Sequence, residues 1–146
     1  FRLFAAVIQS GDPLGLELGR HMASQDPASQ KAVSRLLEQL CRRWARGDLN
    51  TPDIEPWSDV RKRVESALTD IMTEATQGQT IAVFTSGGPT GAAIAMAMGL
   101  SDEMAMRSCW SVYNAGITDF LFSSNRMTLN RFNHTPHLKL EHLTRR

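Results

Sequence analysis

The sequence predicts an α/β fold, and three observations carry that reading. A run of strand-formers, Ile81 to Phe84, ends in Thr85-Ser86-Gly87-Gly88 and passes through Pro89 into the small-residue stretch Thr90 to Met98. Two amphipathic helical patterns precede it, and a hairpin pattern follows it. A strand that feeds a helix N-terminus in this way presents free N–H groups and the positive end of a helix dipole, which suits an anion and often a phosphate.

The first residues, Phe1 to Ile8, are apolar apart from Arg2 and read as a helix. Gln9 to Pro13 carries turn chemistry, and Gly15 to Pro27 reads as a short helix broken before the proline. Ala28 to Arg46 is helical, because Val33, Leu36, Leu37, Leu40 and Trp44 recur at spacings of three and four and form one apolar stripe. Arg42, Arg43 and Arg46 oppose the negative end of its dipole, and Gly47 closes it. Trp57 to Thr76 is the second long helix, with Val60, Val64, Ala67, Leu68 and Ile71 as its expected buried face and Gly78 as its stop.

Ile81 to Phe84 is too short for a helix before the glycines and reads as a fully buried strand. Gly87 and Gly88 then serve a tight turn. Ala92 to Leu100 packs closely as a helix, and Ser101 caps another short one to Arg107, with Asp102 and Glu103 in its first turn. Trp110, Val112, Ile117, Phe120 and Phe122 suggest a strand with a slip of phase near Asn114 to Gly116. Ser123-Ser124-Asn125 is the hairpin turn, and Met127, Leu129 and Phe132 mark the returning strand. Asn133 to Leu138 reads as irregular and the last residues as a charged tail.

Composition narrows the function. The 146 residues are 42% hydrophobic and 21% charged with a formal net charge of +1. One domain is the default at this length. The near-neutral charge points away from nucleic acid and anionic membranes, and no apolar run approaches a transmembrane length. Two cysteines, Cys41 and Cys109, make no disulfide framework, so a cytoplasmic home is expected. A buried strand needs neighbours on both sides for its backbone groups, and only one hairpin follows it. Further strands are therefore expected upstream of Phe1 or from another chain, and two such chains could pair through unsatisfied sheet edges.

The order of motifs is itself informative: a helix beginning Glu55-Pro56-Trp57, a strand, Ser-Gly-Gly-Pro, a small-residue helix, the Asn114-Ala-Gly-Ile-Thr118 hairpin and Asn133-His-Thr-Pro-His-Leu138. Over roughly Leu36 to Leu138 this resembles the C-terminal part of the histidine phosphatase superfamily, the phosphoglycerate-mutase-like proteins. The resemblance implies a three-layer αβα domain lacking its N-terminal strands here. It implies hydrolysis of a small phosphorylated substrate, or phosphoryl transfer, through a phosphohistidine, with no cofactor. In the family a first histidine, within Arg-His-Gly, attacks phosphorus. A Glu or Asp protonates the leaving oxygen, and arginines with a second histidine hold the phosphoryl oxygens.

Ser86 stands where that second histidine would be. The resemblance makes Thr85, Ser86, Gly87 and Gly88 the phosphate cradle, with Asn114 on the returning hairpin as a further lining residue. Arg-His-Gly is absent. Gly19-Arg20-His21-Met22 lacks the following glycine and does not end a strand, so it reads as an ordinary surface pair, and Glu17 is an unsupported candidate for the proton donor. The nucleophile is expected upstream of Phe1. The alternative is a catalytically inactive relative that binds a phospholigand or a protein partner. His134, His137 and His142 lack a fixed third metal ligand, and Met96, Met98, Met104 and Met106 read as packing.

Overall fold

The computed structural model describes residues 2–24 and 26–144. The expectations for Phe1 and for the last two arginines lie outside the described residues. Six helices and one two-stranded sheet are described, in two compact units, Phe1–Trp57 and Ser58–Arg146. This is the expected mixture of helix and strand. Among the described residues no helix is long and apolar enough to cross a membrane.

The first unit is helical. α1 spans Arg2–Gln9, α2 Pro13–Met22 and α3 Pro27–Arg46. Asp12 and Asp26 each cap the helix that follows, and each precedes a proline whose missing N–H would be unpaired in the first turn anyway. The apolar stripe on α3 does what its spacing requires: Leu36 and Leu40 close on Val7 and Leu18, with Phe4, Val33 and Leu37 around them. Gly47 ends α3 at φ 76°, a left-handed conformation, and its N–H and that of Asp48 bond the carbonyls of Trp44 and Arg43. Trp57 is buried and meets Trp44 edge to face, ring centres 5.4 Å apart.

Arg43 does more than balance a dipole. Its guanidinium donates to both oxygens of Asp12, at 2.9 and 2.8 Å, and joins the end of α3 to the start of α2. That fork holds the Asp12 carboxyl below the usual carboxylate range, and Asp12 in turn raises Arg43.

The second unit contains most of α4 (Trp57–Glu74), α5 (Gly87–Met98), α6 (Asp102–Trp110), β1 (Ile117–Ser123), β2 (Arg126–His134) and a 3₁₀ turn at Leu140–His142. The buried face of α4 differs from the expected one. Met72 is buried, Ala67 is exposed, and Val60, Val64, Leu68 and Ile71 are half-covered. Arg61 ties α4 to α6 by donating to Leu100 O at 3.1 Å and Asp102 Oδ1 at 2.7 Å, while also bonding Glu65. Glu65 first, then Asp102, raises its pKa.

The expected buried strand at Ile81–Phe84 is not formed. Among the described residues the sheet consists of β1 and β2, and residues 80–86 have no regular structure. Phe84 is 97% exposed and Val83 56%. The reason is the one that makes strands cooperative: a strand is held by the ladder bonds of its neighbours, and no described strand pairs with this segment.

Trp110 also departs from expectation. It ends α6 instead of opening a strand, so β1 begins only at Ile117. The hairpin turn itself forms, with Ser123 opposite Arg126 and Phe122 opposite Met127. The slip expected near Asn114 to Gly116 falls before β1, and the pairing shifts register a few residues later, between Ile117 and Asp119 and again between Asp119 and Phe120.

Candidate functional site

α5 begins at the Ser86 junction, and its first turn has an unusual donor balance. Ser86 is the N-cap residue, with extended φ −104° and ψ 175°, but its hydroxyl makes no capping bond. Its carbonyl accepts from Thr90 N at 3.2 Å and from Thr90 Oγ1 at 3.0 Å. Pro89 has no N–H to satisfy. The N–H groups of Gly87 and Gly88 have no intrahelical acceptor by helix geometry, and the Ser86 hydroxyl is not spent on them. Thr85 and Ser86 are exposed, Gly88 is half-buried and Gly87 is buried. Together the two amides, a hydroxyl and the dipole form an arrangement that attracts an anion.

The glycines act differently from the expected tight turn. Neither Gly87 nor Gly88 takes a positive φ; both are helical. Gly87 is buried, and a Cβ there would stand 3.1 Å from Cys109 O. At Gly91 a Cβ would stand 2.5 Å from Ala105 O and would collide with Cys109 Sγ. These two glycines let the first turn of α5 lie directly on the last turn of α6. A Cβ at Gly88 would meet open space. Cys109 closes the contact from below, its thiol donating to Ala105 O at 3.2 Å and lying 3.7 Å from Gly88 O. Sequence reading missed Cys109; its four-residue spacing from Ala105, matching that of Gly87 and Gly91, is the signal that could have found it.

Asn114 stands in the turn between α6 and β1. Its N–H donates to Thr144 O at 2.9 Å and its Nδ2 to Thr144 Oγ1 at 2.8 Å. One of the two Nδ2 protons is thereby used. The turn follows Trp110, and its Val112 N donates at 3.5 Å to the carbonyl of Cys109, the residue whose carbonyl faces Gly87. Thr85, Ser86, Gly87 and Gly88 come together by chain continuity, whereas the bonds of Asn114 run to Thr144 and none joins it to these four residues. Glu17 and His21 lie on α2 in the first unit. His21 Nδ1 is 3.2 Å from the hydroxyl of buried Ser29, a contact between neighbouring helices. Two surface depressions, of about 160 and 200 Å³, are lined by other residues, among them Asp12 with Thr51 and Glu74 with Ile81. Among the described residues no group of three His, Cys, Asp or Glu side chains could hold a metal ion.

The family model of the histidine phosphatase superfamily (branch 1) matches residues 21–135. The chain belongs to the histidine phosphatase superfamily. The match takes in α3, α4, the Ser86 junction, α5, α6 and the hairpin, which are the elements whose order suggested the family. No curated protein and no solved structure matches the chain significantly.

Proposed function

We propose that this superfamily member binds the phosphoryl group of a small phosphomonoester at the start of α5, and that in the full-length protein it takes part in phosphoryl transfer or hydrolysis through a phosphohistidine. The observation that supports it most is the donor set at Ser86, Gly87 and Gly88, free of intrahelical acceptors, with Ser86 exposed, Gly88 half-buried and Gly87 buried, at the junction inside the family match. The amides and dipole would hold phosphoryl oxygens, Ser86 Oγ would donate one further bond, and Asn114 would add the remaining N–H of its side chain.

The reading includes the architecture. Ile81–Phe84 would be the strand of a three-layer αβα domain whose neighbouring strands and nucleophilic histidine lie outside this sequence. Its exposed, uncharged, strand-forming side chains support that role. A second copy of the chain could cover the same edge.

Serine in place of histidine has a chemical consequence. A hydroxyl donates a bond but carries no positive charge. Charge-assisted bonds contribute about 1.5–3 kcal/mol against about 1 for neutral ones, so the substitution costs on the order of tenfold in transition-state stabilisation. The same substitution favours a second reading, a catalytically inactive relative that retains phospholigand or partner binding.

One experiment separates the two. The full-length protein is mixed with a phosphomonoester, quenched and assayed for acid-labile phosphate on histidine. A phosphoenzyme is expected from a catalyst, and its absence despite phosphate binding selects the binding module.

A further inference from the structure

We draw no further inference here: the strongest candidate, the strand-forming stretch at residues 81–84 between α4 and α5, where Phe84 is 97% exposed, carries none, because nothing in the structure shows what covers it.

Discussion

Gly91 of α5 lies against the backbone of Ala105 in α6, so close that a Cβ on Gly91 would stand 2.5 Å from the Ala105 carbonyl oxygen. That oxygen is backbone and cannot rotate away, so a side chain at Gly91 must push the two helices apart. Gly91→Ala is expected to destabilise the protein by about 1–3 kcal/mol, the range for overpacking a close contact. Gly88→Ala is its control: with open space at Gly88 and no positive φ, stability should change by less than about 0.5 kcal/mol. Denaturant unfolding of both variants checks the pair.

The Asp12–Arg43 fork makes stability depend on acid. The Asp12 carboxyl is held below its ordinary value, chiefly by the Arg43 hydrogen bonds. Its contribution is therefore present above the unfolded value of about 3.9 and is lost as pH falls through the lower folded value. Asp12→Asn keeps a capping oxygen for Leu14 N but removes the charge. It should cost about 1 kcal/mol at pH 7 and progressively less below pH 4, as read from unfolding curves across that range.

Phe84 is 97% exposed and packs against almost nothing. Phe84→Lys should leave Tm unchanged while reducing any concentration-dependent self-association, because a charge blunts an open strand edge. Sedimentation at several concentrations reads the effect. A large fall in Tm would mean that Phe84 is packed in the folded protein.

Restoring a histidine tests the chemistry assigned to the junction. Ser86→His supplies a cation where the wild type has a hydroxyl. At pH 6, where the imidazole is largely protonated, it should tighten phosphate binding about tenfold. The gain should fade as pH rises and the ring loses its proton. Calorimetric titration at two pH values checks both parts.

The sequence was most legible where local chemistry and long-range packing agree. The α3 stripe, the Gly47 stop, the Ser101 cap on α6 and the Ser123–Arg126 turn are each specified within a few residues, and each is present. Ile81–Phe84 misled because a run of strand-formers states a preference that only a neighbouring strand can satisfy. Ala67 and Met72 exchanged places on α4 because periodicity marks a face but not how far a neighbour covers it. Within the site, the Ser86 junction was visible as a motif. The reason for its glycines was not, since it lies in Ala105 and Cys109, fourteen or more residues away.

The most direct measurement is the phosphate titration of the wild-type protein, read at the backbone amides of Ser86, Gly87 and Gly88. Saturable shifts concentrated at these residues, lost when phosphate is replaced by chloride at equal ionic strength, are the expected result. Shifts that are absent there, or spread evenly over the basic side chains of the surface, would contradict an anion site at the start of α5 and with it the proposed function.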